Sequence, residues 1–304
     1  MGDTTNRKEN PMSKSNEVME AVASKIIAAM EAGQVNGEWK KSWAGGAIAM
    51  NAITGKQYKG GNLIALWVLG EDFGSGYWAT YKQWQSVGAQ VRKGETGTRL
   101  VKWSPIPCKD HGATERCSSC GKMVPNVFTV FNADQVDGWE GNPDAIKNLD
   151  ERIADADDFL KATGAEIKHT DEGRAYYRPS TDSITLPHFE SFTSAEAYYA
   201  TAAHELIHWT GHESRLDRQM AKKWGDDDAY AAEELVAELG AAMLCATLGI
   251  SDTPRPDHAQ YLKFWVGRLK DDYRLLWNAA SLAQKAVDHA TSIVEARREE
   301  MVAA

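Results

Sequence analysis

The sequence predicts an α+β protein, with a small N-terminal α+β domain followed by a mainly helical domain with a small sheet. Three observations predict this. Short aromatic and β-branched segments broken by glycine, such as "GYWATYKQW" and "TGTRLVKWSPI", fill much of residues 51–136, the pattern of strands and turns. After residue 190 the apolar positions follow helical spacing over long stretches. The charge is also divided. From Asn36 to Trp103 nine Lys/Arg stand against four Asp/Glu and six of the eleven tryptophans occur, whereas Gly141–Ala304 carries 18 against 29. A basic, aromatic half and an acidic half on one 304-residue chain point to two units with different roles.

The elements follow in order. Residues 1–14 are polar and lack an apolar core, so they read as a disordered tail and not as a secretory signal. "SNEVMEAVASKIIAAMEAG" predicts an amphipathic helix capped by Ser15 and ended by Gly33. Strands are expected in "NAITGKQYKGGN", "GYWATYKQW", "TGTRLVKWSPI" and "VFTVFNADQV". "EGNPDAIKNLD" reads as a linker, separating a domain at 15–140 from one at 141–304. A helix running to about Ala162 comes next, then strands in "AEIKHT", "RAYYRPS" and "DSITLP", with "PSTD" as a turn. Four helices complete the chain, roughly at 194–210, 228–248, 256–274 and 275–298. No run approaches 18 consecutive apolar residues, so neither a transmembrane helix nor a membrane partner is expected. Four cysteines do not suggest a disulfide framework, and the expected location is the cytoplasm.

The chemistry concentrates in "TAAHELIHWTGHESRL". Thr193 or Ser194 can cap the helix and Gly211 can stop it. Residues four apart share a helix face, so His204 and His208 can present imidazoles to one ion, and Glu205 can reach a water bound there. The bland reading is an exposed face with two solvated histidines. A catalytic zinc site needs a third protein ligand. In "YAAEELVAELGAAML" Glu234 and Glu238 fall on the stripe of Ala237, Ala241 and Cys245, which reads as buried, and buried carboxylates need a cation or hydrogen bonds. Glu234 is the expected third ligand, and Glu238 the partner for the free N–H of one histidine. Glu233, His188 and His212 remain alternatives, because helix phase is not fixed to one residue by sequence. Zinc is the expected ion, with manganese open, and the chemistry is hydrolysis with Glu205 as base. "DSITLP" is expected to accept an extended peptide by strand addition. Tyr198, Tyr199 and Tyr230 can donate to an oxyanion, with core packing the stronger reading for each.

These motifs carry a family resemblance. "YYATAAHELIHWTGHESRLDR", then "YAAEELVAELGAAML" and a late "LAQKAVDHA", resemble the ArdC-type antirestriction proteins of conjugative plasmids. Upstream, "NAITGKQYKGGNLIALW", "YWATYKQWQSVGAQVRKGETGTRLVKW" and "VFTVFNADQVDG" resemble the N-terminal domain of that family, which some plasmid primases share. The resemblance runs from about residue 16 to 292 and holds for both halves in order. It implies a domain that binds single-stranded DNA joined to a zincin-like metallopeptidase domain, and protection of incoming plasmid DNA from host restriction. Carried over residue by residue, it implies His204 and His208 as ligands, Glu205 as base and a Glu of "EELVAE" as third ligand.

The basic half supplies what single-stranded DNA needs, namely cations for phosphates and rings for bases. Candidates are Trp39, Lys40, Lys41 and Trp43 in one loop, Lys56, Tyr58 and Lys59 around a Gly-rich turn, Trp78, Tyr81, Lys82 and Trp84, and Arg92 with Lys93. Trp67 and Trp103, within apolar runs, read as core. "CKDHGATERCSSC" departs from the family pattern; Cys108, His111, Cys117 and Cys120 can close a second, structural zinc site, against the reading of a reduced loop. The partners expected are single-stranded DNA and an unidentified, DNA-bound protein substrate. The rival is a protein that only coats single-stranded DNA, its metal site structural. A nuclease is the weaker third reading, because phosphodiester hydrolysis often uses two metals.

Overall fold

The computed structural model describes residues 13–36, 48–106, 123–141, 149–218, 226–250 and 259–303. The candidates Trp39, Lys40, Lys41, Trp43, Cys108, His111, Cys117 and Cys120 lie outside these residues, as do the start of the expected tail and most of the expected linker.

Helix α1 spans Lys14–Asn36. Its cap is Ser13, whose Oγ accepts from the Asn16 N–H at 3.3 Å; Ser15, the expected cap, lies one residue inside, buried and 2.9 Å from Ser13 Oγ. Gly33 does not end the helix. Glycine costs a helix only about 1 kcal/mol, and α1 is held by tertiary burial of Val18, Val22, Ile26 and Met30, one turn apart.

The N-terminal sheet runs β1 (Met50–Asn51), β2 (Tyr77–Ala79), β5 (Met123–Asn132), β4 (Thr98–Pro105) in spatial order. The β1–β2 pair is parallel and the other two are antiparallel. Two short strands, β3 (Gln90–Val91) and β6 (Val136–Asp137), pair beside it. Two expected strands are shorter than their segments. "NAITGKQYKGGN" gives only β1 before entering helix α2 (Gly61–Leu69). "GYWATYKQW" splits into β2 and helix α3 (Tyr81–Ser86), because Thr80 and Gln83 form a reciprocal capping box.

The C-terminal half begins with α4 (Leu149–Thr163) and a three-stranded sheet, β7 (Glu166–Thr170), β8 (Tyr176–Arg178) and β9 (Ser183–Pro187), in the order β7-β9-β8. The "PSTD" turn is a 3-10 turn closed by Asp182 at φ 47°. Four helices follow: α5 (Ala195–Thr210), α6 (Asp226–Leu248), α7 (Ala259–Asp271) and α8 (Arg274–Ala303). The strand expected to accept a peptide, "DSITLP", is β9. It is the central strand, hydrogen-bonded to β7 on one side and β8 on the other, so it has no open edge for strand addition.

One hydrophobic core runs through both halves, from Val22, Ile26 and Leu66 to Leu206, Leu244 and Ala283. Helix α8 connects them. Gln284 Oε1 accepts from the Gly60 N–H at 2.8 Å, Trp277 Nε1 donates to the Met19 carbonyl at 3.2 Å, and Lys59 lies 2.7 Å from Asp288. Gly61 leaves room for the Trp277 ring, which a Cβ there would meet at 2.1 Å.

A second close approach matters more for function. A Cβ at Gly240 of α6 would lie 2.8 Å from Ile207, which stands between the two histidines of α5. Glycine therefore sets the α5–α6 spacing. Gly240→Val is expected to cost about 1–3 kcal/mol through overpacking, measured by urea denaturation. It should also lower divalent-metal affinity, because it spreads the helices that carry His204, His208 and Glu234; unchanged affinity would refute that link.

Candidate metal centre

Helix α5 starts where expected. Ser194 caps it, accepting from the Ala197 N–H at 3.1 Å. After Gly211 the chain folds back over the helix end, and the last four carbonyls all find donors. The Thr210 hydroxyl and Arg218 reach Ile207 O, the Gly211 N–H reaches His208 O, the His212 N–H and Arg215 Nε reach Trp209 O, and the Leu216 N–H reaches Thr210 O. The helix is thus fixed at both ends, with His204 and His208 one turn apart on the face toward α6.

Helix α6 supplies three carboxylates to that face. The Nε2 atoms of His204 and His208 are 3.1 Å apart, and each lies 3.4 Å from one oxygen of Glu234. Tetrahedral ligation at about 2.0–2.1 Å would place ligand atoms about 3.3 Å from one another. The donor set fits a divalent ion in both chemistry and spacing, and among the described residues it is the one such group of three. Each histidine also has a carboxylate at its other nitrogen: Glu238 Oε1 lies 2.9 Å from His204 Nδ1, and Glu233 Oε1 lies 3.3 Å from His208 Nδ1. A carboxylate that accepts Nδ1–H fixes the tautomer that presents Nε2 as a ligand.

The interior setting makes these contacts matter. His204, Glu205, Glu234 and Glu238 are all buried, Glu238 completely. Burial opposes the charged His208 imidazole, yet its hydrogen bonds to the Glu233 and Glu234 carboxylates, and the charges of those carboxylates, outweigh it and raise its pKa to about 10. Burial would likewise raise the Glu234 carboxyl, but hydrogen bonds from His204 and His208, and their charges, hold it well below the usual carboxylate range. The Glu233 carboxyl is lowered against its own burial by His208 and Arg218. Negative charge is therefore stable here only beside a cation, which is what an ion-binding pocket requires.

The alternatives for third ligand fall elsewhere. Glu233 is taken by His208 Nδ1 and Arg218. His212 lies in the turn after α5, its Nδ1 2.8 Å from Ser214 Oγ. His188 is exposed, stacked on His169 and 3.6 Å from Asp171. Tyr198 and Tyr199 are buried among Phe189 and Phe192, and Tyr198 Oη lies 2.9 Å from His169 Nε2. Tyr230, also expected in the core, is 54% exposed. Sequence reasoning passed over Arg215 and Arg218, although cations just past a helix end are a recognised signal for its C-terminal carbonyls.

In the N-terminal half the candidate contacts divide. Lys56, Lys82 and Lys93 are exposed and have no ion pair among the described residues. Lys59 pairs with Asp288, and Arg92 with Glu95 and Asp137. Tyr58 is half-buried, its Oη accepting from Asn51 Nδ2, and burial raises its pKa. Trp78 and Trp84 are core residues, as is Trp67, so they have no open face for a base; Tyr81 is exposed. Trp103, expected in the core, is 49% exposed, because its end of the β4–β5 hairpin extends beyond the helices that cover Leu100 and Val101.

Comparison with known proteins agrees with both halves. Residues 16–131 match the family model of the N-terminal domain of the anti-restriction factor ArdC, and residues 154–282 match that of a zincin-like metallopeptidase. The chain is 40% identical over 282 residues to protein y4eC of Sinorhizobium fredii (strain NBRC 101917 / NGR234), covering 90% of this chain and 91% of that protein. It is 39% identical over 305 residues to the DNA primase TraC of Escherichia coli, covering 93% of this chain but only 20% of the primase. Two crystal structures of the antirestriction ArdC protein from plasmid R388, one metal-free and one Mn(II)-bound, superpose with TM-scores of 0.72 and 0.73 at 38% and 39% identity, over 91% of this chain and 97% of theirs. With both family models matched in order and a solved member covered almost end to end, the chain belongs to the ArdC antirestriction family, with an ArdC N-terminal domain and a zincin-like domain.

Proposed function

We propose that this protein binds single-stranded DNA and is a metal-dependent peptidase, protecting incoming plasmid DNA from host restriction. The observation that carries the enzymatic part is the convergence of two imidazole Nε2 atoms and the Glu234 carboxylate within 3.1–3.4 Å, with Glu205 beside them on α5. His204, His208 and Glu234 would hold the ion. Zinc or manganese serves this donor set, and a bound Mn(II) in the R388 protein supports the second. The ion supplies a Lewis acid and lowers the pKa of water toward about 7. The chain does the rest. Glu238 and Glu233 hold the histidine tautomers, while Glu205 takes the proton of the attacking water and passes it to the leaving amine.

The proposed division of labour is residues 15–140 for DNA and 141–304 for catalysis. The +5 balance of residues 36–103 and the exposed Lys56, Lys82 and Lys93 support the first. Because the two units share one chain, the peptidase is concentrated near proteins on the same DNA, so its substrate is a DNA-bound protein.

Three measurements test this reading. His204→Ala should abolish high-affinity zinc and manganese binding, read by chelator competition. Glu238→Ala should weaken it about 10–100-fold; wild-type affinity in both would remove the site. Glu205→Gln should bind metal like the parent yet cleave no protein and fail to protect unmodified plasmid DNA. If it protects fully, the protein acts by coating DNA and its metal is structural. Finally, affinity for a labelled single-stranded oligonucleotide should fall steeply with salt. Replacing Lys56, Lys82 and Lys93 together by Ala should flatten the log–log slope by about 0.7 for each phosphate no longer neutralised. A slope unchanged by the triple substitution would place the DNA on another surface.

A further inference from the structure

The motif "GHESRLDR", residues 211–218, contributes no atom to the group formed by His204, His208 and Glu234. It nonetheless carries a guanidinium that is only 4% exposed, that of Arg218. Arg218 Nη2 donates to the Ile207 carbonyl at 2.6 Å and to Glu233 Oε1 at 2.7 Å. Its Nε donates to Glu233 Oε2 at 3.2 Å, and its Nη1 to Thr210 Oγ1 at 2.7 Å. Ile207 and Thr210 flank His208 on α5, and Glu233 precedes Glu234 on α6. The approach requires Gly211, where a Cβ would lie 2.9 Å from Arg218 Nη2. Arg215, three residues earlier, donates from Nε to the Trp209 carbonyl, and its other contacts face away from Glu233. It pairs with Asp182 and stacks on Trp209, tying the same segment to the β-sheet side.

We infer that Arg218 is the positioning residue that fixes which of two adjacent glutamates serves the ion. This role depends on the assignment of His204, His208 and Glu234 as the metal ligands. A two-point guanidinium–carboxylate fork holds a carboxylate in one orientation. Held this way, Glu233 accepts the Nδ1–H of His208, which leaves His208 Nε2 free for the ion. It also keeps Glu233 from turning into the site beside Glu234. Without the fork, Glu233 becomes a buried carboxylate lacking its cation. It would then be free to turn toward the site and compete for the ion, releasing His208 Nδ1.

The test is equilibrium binding of zinc and of manganese to the metal-stripped full chain, by competition with a fluorescent chelator. Arg218→Gln and Glu233→Gln are each expected to weaken binding about 10–100-fold. The double variant should be no weaker than the worse single variant, because both changes break one unit. Arg218→Lys keeps the charge and protects folding but lacks the fork, and it should still lose about tenfold. Arg215→Gln breaks the other anchor of the segment; it should lower thermal stability while leaving metal affinity within about twofold. Parental affinity in both Arg218 variants would overturn the inference, and so would losses that multiply in the double variant. A parent chain that binds neither ion would overturn the metal-site assignment itself.

Discussion

Two imidazoles on α5 and three carboxylates on α6 are brought together in the interior, and the rest of the zincin-like half is arranged so that they can coexist there. Buried carboxylates are costly unless a cation or several donors face them. Here each carboxylate lies against a histidine nitrogen, and Glu233 also against Arg218. These contacts hold only if the two helices pack closely. Gly240 against Ile207 provides that approach at the level of the histidines. Small residues on α6, including Ala237 and Ala241, keep the same face narrow.

The end of α5 is secured by the segment that follows it. Both arginines of that segment face helix carbonyls, where positive charge is favoured by the helix dipole. Fraying of the last turn of α5 would release His208 from the cluster together with the Ile207 carbonyl that Arg218 satisfies. Of the two arginines, Arg218 also reaches Glu233, and so links this helix end to the geometry of the cluster.

The halves recognised from charge and composition are not mechanically separate. Helix α8 packs on α2, donates from Trp277 to α1, and presents Gln284 and Asp288 to the Lys59–Gly60 turn. Part of the basic surface that composition offered to DNA is already neutralised by these internal pairs. Of the candidate DNA-contacting cations among the described residues, Lys56, Lys82 and Lys93 are exposed without an ion pair, a smaller candidate surface than the sequence count suggests. No helix among the described residues is long and apolar enough to cross a membrane.

The sequence by itself determined the helical order of the second half, the two-unit plan and the elements of the centre. Helix periodicity placed His204 and His208 on one face, and it put Glu234 and Glu238 on a buried stripe, because these relations are local and repeat every 3.6 residues. It also carried the family resemblance. Tertiary structure decided what depends on contacts between distant segments. It made Glu234 and not Glu233 the third member of the cluster, because Arg218 occupies Glu233. It put "DSITLP" at the centre of its sheet, since strand order is set by pairing and not by the strand's own sequence. It extended α1 past Gly33 to Asn36, a glycine's cost to a helix being small beside the burial of Val22, Ile26 and Met30 in the same helix. It also exposed Trp103, whose apolar neighbours in sequence do not cover it in space.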